Sequence, residues 1–160
     1  MCLLSSYIEL LKPRLSATVI FSSLAGYFLA PSITFSLLNN YTKDDIILLV
    51  YLTLGGICLV GASNILNQIY EVNIDAKMDR TKNRPLPTKR VSVNNAFIFS
   101  LCIGLLGLFL LAQINNYCLV LGGLSCLIYV LGYTPLKTNT PISGFIGAFP
   151  GAMPFMLGWV

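Results

Sequence analysis

One polar side chain stands at every fourth position along a short segment of the sequence. Asn67, Glu71, Asp75 and Asp79 form this series, and nine of the sixteen charged residues of the chain fall between positions 71 and 90. On an α-helix each step of four residues turns about 40° past a full turn. The first three side chains therefore share a face about 80° wide, whereas Asp79 has drifted by about 120°. We predict that two or three of these groups converge, with Asp79 at the rim or on a second ion.

The ligands in this segment are oxygen atoms, which suit Mg²⁺ or Ca²⁺. Proteins usually hold Mg²⁺ through one or two carboxylates, while substrate phosphates complete its coordination shell. The same segment supplies cations that can bind phosphate oxygens; they are Lys77, Arg80, Lys82 and Arg84. The pattern therefore predicts a diphosphate site for a lipid-like substrate. The alternative is a solvated interfacial helix whose acids and bases offset one another.

The elements that must position these residues are those of a membrane protein. Charged residues make up 10% of the chain and hydrophobic residues 56%, whereas soluble domains carry about a quarter charged residues. Uncharged stretches cover residues 15–42, 46–70, 91–136 and 138–160. Because a helix needs roughly 20 apolar residues to cross a bilayer, we expect an all-α, polytopic transmembrane bundle that forms one domain over residues 1–160.

The composition excludes several other kinds of site. Histidine is absent, and none of the five cysteines forms a Cys-x-x-Cys pair. A zinc site, a thiol redox motif and a Ser–His or Cys–His nucleophile therefore have no support in this sequence. The net charge of +4 does not indicate nucleic-acid binding, because the basic residues cluster between apolar stretches.

The basic residues predict how the bundle is oriented. With the N-terminus inside, nine of the ten basic residues lie on the inner face, and the tenth, Lys43, lies on the outer face. Cytoplasmic loops are enriched in Lys and Arg, so we expect the N-terminus and the acidic segment in the cytoplasm. The absence of an Arg- and Ser-rich leader favours a bacterial inner membrane over a mitochondrial one. The candidate spans are 15–30, 46–70, 94–112, 117–133 and 144–160.

The fifth candidate span differs from the other four. It contains Pro150 and Pro154, and the sequence stops within it without a flanking charge. Natural chains seldom stop inside an apolar span, so we expect a truncated polypeptide.

The acidic segment resembles the first signature of the UbiA-type intramembrane prenyltransferases, in which an Asn is followed by acids at four-residue spacing. Residues 67–81 read Asn-Gln-Ile-Tyr-Glu-Val-Asn-Ile-Asp-Ala-Lys-Met-Asp-Arg-Thr and are followed by an Arg-Pro pair at 84–85. This run is similar to the haem-farnesylating branch of that family. Two other stretches, 11–14 and 133–154, are similar to the same branch and occur in the same order.

The resemblance implies a metal site with named ligands. Asn67, Glu71 and Asp75 would hold Mg²⁺ as the catalytic group, with Asp79 as a fourth candidate ligand. Glu71 replaces the commoner Asp of the family and keeps a carboxylate. Asn73 replaces another Asp, and we assign it no role.

The resemblance also implies a reaction. Farnesyl diphosphate would donate its prenyl group to a vinyl group of haem B, which gives haem O. The candidates for binding the departing diphosphate are Arg80, Arg84, Lys137 and Arg14, with Lys12 as a further contact. The family fold has nine spans and a second acidic motif in its later half, so this chain would be inactive alone. A haem A synthase or a terminal-oxidase assembly is an expected protein partner.

Three alternatives stay open at this stage. In the first, the acceptor would be an aromatic quinone precursor or a chlorophyll-like ring instead of haem. In the second, the chain would be an ion-coupled transporter, since Pro- and Gly-broken spans also mark transporter sites. That function, however, expects acids near mid-membrane. In the third, the chain would be a non-catalytic half-protein that assembles with a partner.

Overall fold

The computed structural model describes residues 3–30, 42–137 and 143–159. Within these ranges the chain is helical and contains no strand, which confirms the predicted all-α class. The first helices are α1 (Leu3–Leu10), α2 (Pro13–Leu29), α3 (Lys43–Tyr70) and α4 (Val72–Asp75). They are followed by α5 (Val93–Ala112), α6 (Asn116–Leu136) and α7 (Ser143–Trp159).

The five long helices overlap the five candidate spans of the sequence. Three of them, α3, α5 and α6, are long and apolar enough to cross a membrane, with 28, 20 and 21 residues. The other two, α2 and α7, have 17 residues each. The last residue of the fifth candidate span, Val160, lies outside the described residues.

Helix α3 contacts most of the other helices and carries Asn67, the first residue of the acidic series, in its last turn. It packs so closely on α5 that a Cβ at Gly107 would lie 2.9 Å from the carbonyl oxygen of Gly55. A 28-residue helix is about 42 Å long, which exceeds the hydrocarbon core of about 30 Å. One end of α3 must therefore reach the membrane interface, and its last two turns bury Asn64, Asn67 and Gln68.

Helix α6 changes its turn shortly before it ends. An α-helical segment, Asn116–Leu127, is followed by a π-helical segment, Ile128–Tyr133. There the N–H of Thr134 bonds the carbonyl of Tyr129, five residues earlier. Wide turns of this kind are frequent at functional sites. The widened turn sets the rotation at which Thr134 and Lys137 leave the helix.

Residues 76–92 connect α4 to α5 through a series of turns and pack against α1. Leu86 and Val91 in this connection are buried in one cluster with Leu10 of α1. Arg90 pairs with Glu9 of α1, with 3.1 Å between nitrogen and oxygen. The N-terminal helix and the basic connection therefore lie together at the end of the bundle where α3 stops.

The crossing of α2 and α7 gives a prediction about stability. A Cβ at Gly26 would clash with the carbonyl oxygen of Phe155, so Gly26→Ala must push the two helices apart. We expect a loss of about 1–3 kcal/mol, as for other overpacked contacts, and a lower unfolding temperature in detergent.

Gly151→Ala is the matched control for this change. Within the described part of the chain, a Cβ at Gly151 would have no atom within 4 Å, so Gly151→Ala should not lower the unfolding temperature of the parent protein. Equal unfolding temperatures for Gly26→Ala and Gly151→Ala would contradict the close helix crossing.

Candidate diphosphate and metal site

Three members of the acidic series converge at the junction of α3 and α4. Asn67, Glu71 and Asp75 are all buried, with 3%, 7% and 4% of their surface exposed. The long helix ends at Tyr70, but the N–H of Glu71 still bonds the Asn67 carbonyl and the N–H of Asp75 bonds the Glu71 carbonyl. Helical spacing therefore continues across the junction, and the three side chains stay on one side of the chain.

The amide of Asn67 has its orientation fixed from two sides. Its Nδ2 donates to Glu71 Oε2 at 3.0 Å, and its Oδ1 lies 3.0 Å from the Thr134 hydroxyl. That hydroxyl also lies 2.9 Å from the Tyr129 carbonyl, so its single hydrogen is shared between two acceptors. We did not predict Thr134 as a site residue; its only sequence signal is its place in the stretch that resembles the family.

Each buried carboxylate is neutralised by a cation from another part of the chain. Glu71 Oε1 lies 3.3 Å from Lys137 Nζ at the end of α6, and Asp75 Oδ2 lies 2.6 Å from an Arg84 nitrogen. The two carboxylates are shielded from solvent, while the cations are more exposed. Because an unpaired buried charge is costly, these pairs stabilise the site.

Lys12 belongs to the same electrostatic group, at the turn between α1 and α2. Burial lowers the pKa of its ammonium group, and the positive charges of Arg84 and Lys137 also lower it, whereas Glu71 and Asp75 raise it. The cluster therefore contains three cations and two carboxylates. That excess of positive charge favours the binding of an anion.

The structure does not bring the other predicted residues to this cluster. The Asp79 side chain is 98% exposed and pairs with Lys82, because the chain leaves the helix after Asp75 and the four-residue spacing no longer holds. Arg80 follows it on the exposed surface, and Arg14 is exposed on the first turn of α2. Lys12, in the turn before α2, is half-buried instead.

An apolar cavity of about 600 Å³ opens between α2, α3, α6 and α7. Its size lies within the range of about 300–1,000 Å³ that is typical of ligand pockets. Asn64, Tyr129 and Tyr133 line it, and Asn64 and Tyr133 stand within one helical turn of Asn67 and Thr134. The cavity can therefore hold an apolar chain whose anionic head group reaches the cations.

The donor set of the site fits Mg²⁺. Asn67, Glu71 and Asp75 offer one amide oxygen and two carboxylates, and Mg²⁺ typically binds one or two carboxylates together with substrate phosphates. Among the described residues, no three His, Cys, Asp or Glu side chains form a metal-binding group. A bound ion would therefore depend on phosphate oxygens in addition to these side chains.

A helical bundle with buried carboxylates, cations and an apolar cavity is suited to an amphiphilic anion as its ligand. Residues 19–160 match the model of the UbiA prenyltransferase family. The chain belongs to this family and is a membrane protein.

Similar sequences and solved structures agree with this assignment. The chain is 50% identical to the protoheme IX farnesyltransferase of Christiangramia forsetii, with 99% of this chain and 49% of that protein covered. It is 47% identical to the protoheme IX farnesyltransferase of Flavobacterium psychrophilum, with coverage of 95% and 48%. The chain thus spans about half the length of these curated relatives.

Two solved structures share the fold. One, from work on digeranylgeranylglyceryl phosphate synthase, has a TM-score of 0.84 and is 25% identical in sequence. The match covers 99% of this chain and 53% of the chain in that structure. The other is a UbiA homolog from Archaeoglobus fulgidus bound to GPP and Mg²⁺, with a TM-score of 0.79, 20% identity and coverage of 96% and 53%. The UbiA-type fold predicted from the sequence is confirmed.

The ion pairs of the site give a second prediction about stability. Arg84→Ala leaves the buried Asp75 carboxylate without its partner, so we expect it to destabilise the protein by about 3 kcal/mol. Lys82→Ala removes an ion pair of 2.7 Å, but its partner Asp79 is exposed, and such pairs contribute little. Thermal unfolding in detergent should separate the two variants, and similar losses would show that Asp75 does not depend on Arg84.

Proposed function

We propose that this chain forms the first, diphosphate-binding half of a protohaem IX farnesyltransferase, the enzyme that makes haem O. The observation that carries the proposal is the buried pair Glu71 and Asp75, which lies with three cations beside an apolar cavity. The names of the relatives at 45–50% identity point to farnesyl diphosphate and haem B as the substrates.

The proposed reaction exchanges one bond of the prenyl donor for one bond to haem. The C1–O bond of farnesyl diphosphate breaks, the diphosphate leaves with the electron pair, and a vinyl carbon of haem B bonds to C1. Water adds to the cation that results and releases a proton, which gives haem O. The apolar lining of the cavity protects the reacting centre from premature attack by water.

The side chains of this chain bind the donor and stabilise its leaving group. Lys12, Arg84 and Lys137 would bind the diphosphate, whose negative charge grows as the C–O bond breaks, and preorganised charges of this kind contribute most to catalysis. Asn67, Glu71 and Asp75 would hold Mg²⁺. When bound, Mg²⁺ would neutralise further charge on the diphosphate.

The positions of the basic residues support a cytoplasmic site in a bacterial inner membrane. The Glu9–Arg90 and Glu71–Lys137 pairs join α1, the 76–92 connection and the end of α6 at one end of the bundle. Lys43, at the start of α3, lies at its other end. Since cytoplasmic segments are enriched in basic residues, the N-terminus and the site would face the cytoplasm.

Reconstitution tests the function. The chain would be expressed in membranes alone and together with the second half of the Christiangramia forsetii relative, and supplied with farnesyl diphosphate, Mg²⁺ and haem B. We expect haem O, detected by mass spectrometry, only from the combined halves, here called the reconstituted enzyme, because the resemblance to the family implies a second acidic motif in the later half.

The relative itself, split at the corresponding point, is the control for assembly of two halves. If that control forms haem O and the reconstituted enzyme does not, the proposal is wrong. Prenylation of 4-hydroxybenzoate in place of haem B would show a quinone precursor as the acceptor. Haem O from the chain alone would contradict its dependence on a second half.

Asp75→Asn tests the role of the buried carboxylate. This change removes one charge from the proposed Mg²⁺ site with almost no change in shape. We expect haem O formation by the reconstituted enzyme to fall by about a hundredfold, as the loss of a group at a metal site often causes. Asp44→Asn makes the same chemical change on an exposed residue at the other end of α3. Near-normal turnover of Asp75→Asn would remove the metal assignment.

A further inference from the structure

Three buried polar side chains, two on α3 and one on α2, bind backbone carbonyls at the end of α1 and in the turn that follows it. Gln68 Nε2 donates to the Leu10 carbonyl at 2.7 Å, and Asn64 Nδ2 donates to the Leu11 carbonyl at 3.3 Å. Ser16 Oγ also donates to the Leu11 carbonyl, at 2.9 Å. Carbonyls at a helix end have no partner within the helix, so these side chains, which we call the carbonyl clamp, supply partners for them.

The carbonyl clamp holds a turn whose backbone is unfavourable. Lys12, the next residue, has φ 50° and ψ 65°, a left-handed conformation that side chains other than glycine disfavour. Gly61 adds to this hold, because a Cβ there would lie 2.6 Å from the Leu11 side chain. Gly61, Asn64 and Gln68 are spaced by three and four residues, so one stripe of α3 contacts the whole turn.

The turn directs a cation to a place where other cations already lie. Asn64 and Gln68, which bind the two residues before Lys12, flank Asn67 on α3, and Asn67 contacts Glu71, the partner of Lys137. The two carboxylates are already paired with Arg84 and Lys137, so Lys12 is the cation in excess. Its position is favourable when an anion with several charges binds there.

We infer that Asn64 and Gln68 are positioning residues of the diphosphate site, which act by holding the Lys12 ammonium beside Arg84 and Lys137. The inference rests on the proposed function, because it takes a diphosphate as the ligand of these cations. Helix α3 then serves the site with two stripes. One carries Asn67 towards the carboxylates, and the other holds the turn that carries Lys12.

A double-mutant cycle tests whether Gln68 acts through Lys12. Gln68→Met keeps the length of the side chain and removes its hydrogen bonds, and Lys12→Met removes the cation. Two constants would be measured in the reconstituted enzyme: the Kd of inorganic pyrophosphate with Mg²⁺, by calorimetry, and the KM for farnesyl diphosphate. Each single variant should raise both constants about tenfold, as the loss of a bond to a charged group does. The double variant should be no weaker than Lys12→Met alone.

The controls separate positioning from a general loss of structure. Ser100→Ala removes another buried hydroxyl, which bonds only the Phe97 carbonyl of its own helix among the described residues, and it should leave both constants unchanged. Ser16→Ala is a milder change within the carbonyl clamp and should raise both constants by a smaller factor. Ser16→Ala also replaces Gln68→Met in the cycle if Gln68→Met does not fold.

Two results would overturn the inference. One is an unchanged Kd for pyrophosphate in folded Gln68→Met and Ser16→Ala. The other is a tenfold rise in the Kd when Gln68→Met is added to Lys12→Met. A purely structural role of Gln68 would weaken binding whether or not Lys12 is present. Pyrophosphate binding does not need haem, so a failed haem O assay with an intact cycle would contradict the proposed acceptor and leave the positioning role standing.

Discussion

The site depends on the cost of burying two carboxylates next to each other. Glu71 and Asp75 stand one helical turn apart and are almost completely shielded from water. Their charges require partners, and the partners come from different parts of the chain: Arg84 from the connection after α4, and Lys137 from the end of α6. Pairing these charges joins three segments at one end of the bundle and places cations beside the two carboxylates.

Helix α3 combines the roles of membrane element and site scaffold. Its apolar length packs against α5 through close backbone contact at Gly55 and Gly107, whereas its last turns are polar and buried. Polar side chains near the end of a membrane helix are expensive unless they find partners. Asn67 finds them in Glu71 and Thr134, and Gln68 finds one in the α1 carbonyls. The same hydrogen bonds that stabilise these groups also orient the site.

Much of the fold follows from the sequence because membrane insertion depends on local properties. Length and hydropathy of an uncharged stretch decide whether a helix can cross a bilayer, and the helices overlap the stretches chosen on that basis. Where each helix packs on its neighbours does not follow, because every candidate span is similarly apolar. The π-helical segment before Thr134 was not predicted either, since it is a property of the turn geometry rather than of residue type.

The sequence by itself determined the helical membrane class, the acidic series and its oxygen ligand chemistry, because these depend on residue type and on spacing within one helix. The four-residue spacing predicted that Asn67, Glu71 and Asp75 share a side. Only the tertiary structure decided which cations complete the cluster and which predicted residues lie outside it. Lys12 enters the cluster through a left-handed turn held by α3, and Asp79 leaves it where the helix ends. The physical reason is that electrostatic partners are selected by distance in space, and separation along the chain does not fix that distance.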